Sequence, residues 1–423
     1  MQWLTLHDVG FGECTVIGGR HKEILMVDCG SLNRRLDRDW LFRDYVAVIG
    51  KQYEEASERS FVLTHFHKDH YCGLPLLLQG DPHYFDRIYL PCCPTNSTGV
   101  PLLMELTVWI DAFVSGPGTE TVRMNAANLK FFQKICGLVG TEPIYALQAG
   151  DVLEFDGEDY TVLWPPKQNY PFSKTLETLT MEADLILRQC SDPCAAAFLQ
   201  LKEELCAAYI RCMDGFGHRT NADEEERRAC VADLFFLVQE FNALLPRLHV
   251  LSVAPKIQSL FCDRSTVMAV GEEINGTSLI LSSDTVLLTG DATPATMDQI
   301  APYLNEAYPV VKAPHHGTAS CWWYGFDEMG ITHLLISNGV ANAGGKIAAE
   351  YGRLNALHHC TGAAHCACLE ETGMCCNTSL YCPQAKPEGC APTECRKNRC
   401  NIYLASRNDT HVCDCRRLHN DYR

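Results

Sequence analysis

The sequence has no run of about 18 or more consecutive apolar residues, the length that a helix needs to cross a bilayer. Its first residues, MQWLTLHDVGFGEC, contain no basic stretch followed by an apolar run, so they do not resemble a secretory signal. These two absences predict a cytoplasmic protein that makes no contact with a membrane.

Basic residues are in short supply. The 423-residue chain has 35 Lys and Arg against 52 Asp and Glu, a formal net charge of −17. This excess argues against a broad surface that follows the phosphates of duplex nucleic acid, although it leaves a local basic groove open. Some of the acidic residues can also be metal ligands, which count as uncompensated charge in a sequence.

Hydrophobic residues make up 47% of the chain and charged residues 21%, which is typical of a packed globular protein. Short β-prone segments alternate with helical ones in both halves of the chain. This alternation predicts a layered α/β domain.

The pattern changes in the middle of the chain. Apolar residues recur at helical spacing from Phe198 to Cys212 and from Val231 to Leu245, which predicts a helical hairpin. Asn221, followed by Glu224, is predicted to cap the second helix. Strand character is predicted to return at His249–Val253.

These changes divide the chain into four predicted segments. Residues 1–171 and 248–355 are the two halves of one α/β domain, 172–247 are a helical insertion, and 356–423 are a Cys-rich C-terminal extension. The insertion is interpreted as structural, with a lid or an arm for oligomerisation as the alternatives.

The strongest chemical signal is HFHKDH, residues 65–70, which directly follows an apolar strand. Three imidazoles and a carboxylate so close together would be costly to bury without partners, so they are not a packing feature. In a loop that leaves a strand, His65 and His67 can face one ion while Asp69 and His70 face a second. Mixed nitrogen and oxygen donors suit Zn²⁺, Mn²⁺ or iron.

Two later segments end in further metal-ligand residues. LLTGD, residues 287–291, is an apolar strand ending in Asp291, a carboxylate well placed to bridge two metals. VVKAPHHG, residues 310–317, is another strand and ends in the pair His315 and His316. Because each motif lies at the end of a strand, the three together predict one site with two ions.

Five motifs together resemble the metallo-β-lactamase superfamily: DVGFGEC (8–14), ILMVDCG (24–30), LTHFHKDHYCG (63–73), LLTGD (287–291) and KAPHHG (312–317). The similarity is closest to the branch that contains the ComEC-type DNA-uptake domain and the phosphorylcholine esterases. It covers about residues 1–170 and 250–345. The resemblance implies an αββα four-layer sandwich, with the helical insertion and the Cys-rich tail outside it.

The resemblance also implies a ligand set: His65 and His67 for the first metal, Asp69, His70 and His316 for the second, and Asp291 bridging the two. Asp69 and His315 are expected to be catalytic, with His315 stabilising a phosphoryl oxygen or protonating the leaving group. Asp28 is expected to orient the HFHKDH loop from behind the ligands.

One departure concerns the first metal. Many superfamily members place one more histidine on it, between the HxHxDH loop and the bridging Asp. The matching stretch here, EEINGT (272–277), contains none. The first metal is therefore expected to be bound more weakly, to be more exposed, or to have its ligand shell completed by water or Asn275.

These expectations describe a dinuclear metal-dependent hydrolase, a phosphodiesterase or nuclease that uses a hydroxide bridging two divalent ions, Zn²⁺ or alternatively Mn²⁺. The expected substrate is a small or single-stranded phosphoester, and the helical insertion is a candidate site of oligomerisation. One alternative is a hydrolase of a carbonyl substrate such as a lactone, thioester or β-lactam. Another is a non-catalytic scaffold with a relic metal site.

Cysteine is abundant and unevenly placed. Eleven of the 24 cysteines lie between Cys360 and Cys415. Without a secretory route, reduced thiols are the default state, which favours metal binding over disulfides. The sequence predicts an additional structural Zn²⁺ in this tail, with these candidate ligands: Cys360, Cys366, Cys368, Cys375 and Cys376. Disulfides and unliganded thiols are the alternatives.

Overall fold

The computed structural model describes residues 1–36, 41–114, 126–218, 220, 222–338, 347–361, 401–405 and 411–413. The chain is α/β, with two mixed sheets, and divides into two compact units. The first unit comprises Met1–Leu90, Ala149–Trp164 and Ser278–Arg423, and the second comprises Pro91–Gln148 and Pro165–Thr277. The first unit contains HFHKDH, LLTGD and VVKAPHHG.

The first sheet of this unit begins near the N-terminus. Its strands are β1 (Trp3–Leu6), β2 (Thr15–Gly18), β3 (Ile24–Val27), β4 (Arg59–Val62), β5 (Arg87–Pro91), β14 (Ile402–Ala405) and β15 (His411–Cys413). They lie in the order β15-β14-β1-β2-β3-β4-β5. Strands β3, β4 and β5 are parallel, and Val27 pairs with Val62. Residues that follow β3 and β4 therefore leave the sheet side by side.

The second sheet uses the later part of the chain. Its strands are β7 (Val152–Phe155), β8 (Glu158–Trp164), β9 (Ile280–Ser282), β10 (Val286–Leu288), β11 (Ala307–Lys312), β12 (Gly330–Ile336) and β13 (Leu357–Cys360). Their order is β13-β12-β11-β10-β9-β8-β7, and β10 to β13 are parallel. Parallel strands present the residues that follow them at one edge of the sheet, where α/β proteins usually carry their sites.

The described helices of the first unit are α1 (Phe42–Gln52), α2 (Lys68–Tyr71), α3 (Leu74–Gly80) and α11 (Pro294–Ile300). The longest, α1, buries one apolar stripe that includes Tyr45, Val46 and Ile49, as expected for a helix lying on a sheet. The Thr293 hydroxyl accepts a hydrogen bond from the backbone N–H of Thr296 and so caps α11.

The second unit is mainly helical. It contains α4 (Leu102–Phe113), α5 (Ala126–Val139), β6 (Ile144–Leu147), α6 (Lys174–Arg188), α7 (Pro193–Gly215), α8 (Glu224–Leu248), α9 (Ala254–Cys262) and α10 (Arg264–Gly276). Trp109 lies at the centre of its core, with ring centroids 5.0 Å from Phe198 and 6.0 Å from Phe261. The ammonium of Lys202 is buried in the same core against the carboxylates of Glu105 and Asp184.

The predicted helical hairpin is present as α7 and α8. The helical unit extends beyond the predicted insertion 172–247, because it also includes Pro91–Gln148 and the residues up to Thr277. Two local predictions were wrong. His249–Val253 forms turns, not a strand, and leads into α9, whose first turn contains Pro255. The cap of α8 is Asp223, whose side chain accepts from the Glu226 N–H; Asn221 lies outside the described residues.

Among the described helices, α8 is the one long and apolar enough to cross a membrane by length and composition. Core helices of soluble proteins meet the same two criteria, so the length and composition of α8 are only weak evidence that it crosses a membrane. The absence of membrane contact stays a prediction.

Candidate metal centre

The motif HFHKDH lies where β4 ends and α2 begins. His65 is fully buried, and His67 is half-buried just before α2. The single turn of α2 then turns Asp69 and His70 inward, and both are buried. One short segment thus presents four metal-ligand side chains at the edge of the first sheet.

Two histidines of this segment meet the carboxylate that follows β10. His65, His67 and Asp291 offer ligand atoms that all lie within 4.8 Å of one another. Nε2 of His65 is 3.1 Å from Nδ1 of His67 and 3.8 Å from Oδ2 of Asp291. Three converging donors of this kind could hold a metal ion.

A second group forms beside the first. Asp69, His70 and His316 also offer ligand atoms within 4.8 Å of one another, and all three residues are buried. Nε2 of His316 lies 3.3 Å from Oδ2 of Asp69. The structure therefore brings together residues that are 247 positions apart in the chain.

The carboxylate of Asp291 lies between the two groups. Its Oδ1 is 3.3 Å from Nε2 of His70, and its Oδ2 is 3.8 Å from Nε2 of His65 and 3.9 Å from Nε2 of His316. Each carboxylate oxygen thus faces histidines of the HFHKDH segment, which is the arrangement that a bridging ligand needs.

The tautomers of three histidines follow from their outer partners. Nδ1 of His70 is 2.7 Å from a carboxylate oxygen of Asp28, and Nδ1 of His316 is 3.0 Å from the Ser337 carbonyl. Both oxygens can only accept, so both Nδ1 atoms donate. The Thr64 hydroxyl donates to Asp28 and accordingly accepts from Nδ1 of His65 at 3.1 Å. In their neutral forms all three rings then present an unprotonated Nε2 to the cluster.

Several buried atoms of the cluster lack ordinary hydrogen bonds within the described part of the chain. Nε2 of His67 has no partner, and Nε2 of His70 and Oδ1 of Asp291 face each other without hydrogen-bond geometry. Native proteins rarely leave buried polar atoms in this state unless an ion or water satisfies them. Together with the nitrogen and oxygen donor set, these atoms fit divalent metal ions.

The electrostatics of the first group favour the unprotonated forms of its side chains, which are the forms that bind metal ions. Burial lowers the pKa of His65 and of His67, which keeps both imidazoles neutral. Burial alone would raise the pKa of Asp291, but the positive charge of His70 holds it well below its ordinary range.

In the second group, the pKa of Asp69 is lowered and the pKa of His70 is raised. Burial opposes the ionised form of Asp69, yet the hydrogen bond from His316 and the charge of His70 lower its pKa to about 2. Burial alone would lower the pKa of His70, but the carboxylates of Asp291 and Asp28 raise it well above its ordinary value of 6.5. An ion on Nε2 of His70 therefore has to displace a proton near neutral pH.

His315 differs from its neighbour His316. Its side chain is 28% exposed, whereas that of His316 is fully buried, and its Nε2 lies 3.7 Å from Oδ2 of Asp291. Its Nδ1 is 3.0 Å from the thiol of the buried Cys321. Both histidines have left-handed backbones, with φ of 47° and 57°, which turns the two rings in different directions.

Tight backbone packing holds the HFHKDH segment in place. A Cβ on Gly30 would lie 2.4 Å from the carbonyl carbon of Asp69 and 2.5 Å from the nitrogen of His70. Behind Gly30, Asp28 has a φ of 59°, a conformation that non-glycine residues adopt mostly when they are Asn or Asp. The DCG sequence after β3 thus supplies a residue that tolerates a left-handed backbone, Asp28, and a residue without a Cβ where the chain packs against Asp69, Gly30.

Two further predicted site residues are described, Asn275 and Cys360. Asn275 belongs to the helical unit, near the end of α10. Cys360 is buried at the end of β13, and the ligand groups found in the described part of the chain do not include it. Cys366, Cys368, Cys375 and Cys376 lie outside the described residues. No disulfide joins any two of the cysteines whose side chains are described.

Sequence reasoning missed the residues that support the ligands. Thr64, Ser278 and Ser337 received no role, yet they contact His65, the Asp291 N–H and His316 respectively. Thr64 and Ser278 act through their hydroxyls and Ser337 through its backbone carbonyl. Their one common signal is a position within two residues of a strand terminus, which is too frequent a feature to single them out.

No protein-family model matches the chain, and no curated protein matches it. The function has to be argued from the geometry and chemistry of this cluster.

Proposed function

We propose that the chain has the metallo-β-lactamase fold and is a dinuclear metal-dependent hydrolase, a phosphodiesterase or nuclease. The observation that carries this proposal is the pair of three-residue ligand groups with the Asp291 carboxylate facing both. The two mixed sheets support it, because their strands β4, β10 and β11 each lead into one part of the ligand set.

The donor set favours Zn²⁺, with Mn²⁺ as the alternative. His65, His67 and the Asp291 carboxylate would hold one ion, and Asp69, His70 and His316 the other, with Asp291 shared. Two such ions, when bound, supply an acidified water nucleophile with a pKa of about 7 and positive charge to stabilise a phosphoryl oxygen.

His315 is placed to act on the substrate. It is next to a ligand, it is more exposed than His316, and its Nε2 faces the Asp291 carboxylate at 3.7 Å. Burial lowers the pKa of His315, so the neutral ring can donate one N–H to a phosphoryl oxygen or to the leaving group. The contact with Cys321 on its other nitrogen fixes the ring plane.

Access to the cluster favours a small or single-stranded phosphoester. Of the residues that form it, only His67 and His315 are more than slightly exposed, so a substrate would reach the cluster on the side of these two histidines. The net charge of −17 gives bulk duplex nucleic acid no general attraction to the chain.

The test combines metal content with turnover. Protein purified without added metal would be analysed by mass spectrometry for bound ions and assayed with bis(p-nitrophenyl) phosphate. We expect about two equivalents of metal and turnover that Asp69→Ala abolishes, while Asp44→Ala on the exposed side of α1 changes neither. Two equivalents without turnover would contradict the phosphodiesterase and point to a carbonyl substrate. A wild-type protein without bound metal would contradict the metal centre itself.

A further inference from the structure

A buried ion pair lies beside the metal centre. Nζ of Lys312 is 2.6 Å from Oε2 of Glu13, and each side chain is 3% exposed. Glu13 lies between β1 and β2 of the first sheet, whereas Lys312 is the last residue of β11 in the second. The pair thus joins the two sheets at the edge where both contribute metal ligands.

Glu13 is fixed to the segment that carries Asp69. Its backbone N–H donates to the carbonyl of Asp69 at 3.0 Å, and its own carbonyl accepts from the Gly30 N–H at 2.9 Å. The other carboxylate oxygen, Oε1, accepts from the Thr15 hydroxyl at 3.1 Å. Any movement of Glu13 would therefore be transmitted to the backbone of Asp69.

Lys312 is fixed to the segments that carry the other ligands. Its carbonyl accepts from the Thr289 hydroxyl at 2.7 Å, and its Nζ lies 3.4 Å from the carbonyl of Gly290, the residue before Asp291. That same carbonyl accepts from the His315 N–H at 3.1 Å. Lys312 thus lies against the turn of Asp291 and three residues before His315.

The energetics do not explain the pair as a simple source of stability. Removing two charges from water costs several kcal/mol per ion, and well-packed apolar residues often serve a fold equally well. An ion pair does, however, fix a distance and a direction between the two groups that it joins.

Resting on the proposed function, we propose that Glu13 and Lys312 are positioning residues that set the spacing between Asp69, on one sheet, and Asp291 and His316, on the other. Their effect is greatest for the second ion, because its ligands Asp69 and His316 come from opposite ends of this connection. The first ion also takes Asp291 from the second sheet, but none of the described backbone hydrogen bonds joins Glu13 to His65 or His67 as one joins it to Asp69. The first ion therefore depends on the pair less.

The experiment removes both charges together, so that no buried charge is left without its partner. Zn²⁺ binding to metal-free Glu13→Gln/Lys312→Met would be measured by competition with a chromogenic chelator, alongside the thermal midpoint of the metal-free protein. We expect the second equivalent of Zn²⁺ to bind about 10–100-fold more weakly, as for other residues that orient metal ligands. The first equivalent should change by a smaller factor.

The helical unit supplies a matched control. Lys202 is buried against Glu105 and Asp184, its side chain 5% exposed, so Glu105→Gln/Lys202→Met removes a comparable buried pair from the other unit. This control should lower the thermal midpoint while leaving both Zn²⁺ affinities unchanged. If the metal-site double variant does not fold, Glu13→Asp, which keeps both charges but shortens the side chain of Glu13 by one methylene, takes its place.

Each outcome separates this proposal from the proposed function. Unchanged affinities in the metal-site variant, or equal losses in both double variants, would overturn the positioning role. A wild-type protein that binds two equivalents but hydrolyses no phosphoester would overturn the function and leave the positioning role standing. A wild-type protein that binds fewer than two would overturn both.

Discussion

The carboxylate of Asp28 binds both Thr64, just before the HFHKDH segment, and His70, its last residue. Its Oδ2 lies 2.7 Å from Nδ1 of His70, and its Oδ1 accepts from the Thr64 N–H at 2.7 Å. The Thr64 hydroxyl also donates to Oδ2 at 2.7 Å. Three donors thus converge on one buried carboxylate, which fixes both the start of the segment and the ring of its last histidine.

Asp28→Asn is therefore expected to weaken metal binding without disturbing the backbone. Asn tolerates the left-handed φ of 59° at this position, but its amide group places N–H donors opposite donors from Thr64 and His70. We expect the second ion to bind about 10–100-fold more weakly, measured by chelator competition. The control is Asp44→Asn, whose side chain is 52% exposed, and equal affinities in the two variants would contradict the role of Asp28.

Gly30→Ala tests the close packing behind Asp69. The added methyl would lie 2.4 Å from a backbone carbon, and backbone cannot move aside as a flexible side chain can. We expect a free energy of unfolding lower by about 1–3 kcal/mol, measured by urea denaturation, together with loss of metal.

Gly137→Ala is the matched control. Gly137 lies within α5, and apart from its own helix no described atom is within 4 Å of the position its Cβ would take. Ala is the better helix former, so this variant should be about 1 kcal/mol more stable than the wild type. If both glycine variants were equally tolerated, the tight approach of Gly30 to Asp69 would not exist in solution.

The candidate ligand residues could be selected from the sequence because they lie in short motifs directly after apolar strands. His65 to His70, Asp291 and the His315–His316 pair are polar clusters at positions where a packed core has no use for them, and the structure brings all of them together. The hairpin α7–α8 could also be predicted, since apolar residues recur at helical spacing from Phe198 to Cys212 and from Val231 to Leu245.

The failures share a physical cause, which is dependence on partners that local sequence does not reveal. The segment His249–Val253 has the apolar residues of a strand, but no strand in the described part of the chain pairs with it. Pro255, just after it, favours the start of a helix. Glu13 lies in the motif DVGFGEC and Lys312 in the motif KAPHHG, yet their pairing depends on how the two sheets pack together. Nothing in either motif indicates that the other carries its counter-charge.

The buried Lys202 gives a prediction about alkaline pH. Burial alone would lower its pKa, but Glu105 and Asp184 raise it above the ordinary value of 10.5. The stability that it contributes is therefore fully present below that value and is lost as the pH rises through the folded-state pKa. Urea unfolding from about pH 8 to about pH 11 should show a steeper alkaline fall for wild type than for Lys202→Met. Parallel curves would mean that Lys202 is not charged in the folded protein.

The last prediction separates two adjacent histidines. His316 is buried, donates through Nδ1 to the Ser337 carbonyl and turns Nε2 toward Asp69, so His316→Ala should lose the second equivalent of metal. His315 is more exposed and belongs to neither ligand group, so His315→Ala should keep both equivalents.

Turnover should show that His315→Ala loses activity for a reason other than loss of metal. Losing the donor on His315 removes a contact that is needed during the reaction, so we expect bis(p-nitrophenyl) phosphate turnover to fall about 10²–10⁴-fold at full metal loading. His83→Ala, on the exposed turn before β5, controls for the loss of an imidazole as such. If His315→Ala instead lost an equivalent of metal in proportion to its activity, His315 would be a ligand, and the donor to the substrate would have to be another residue.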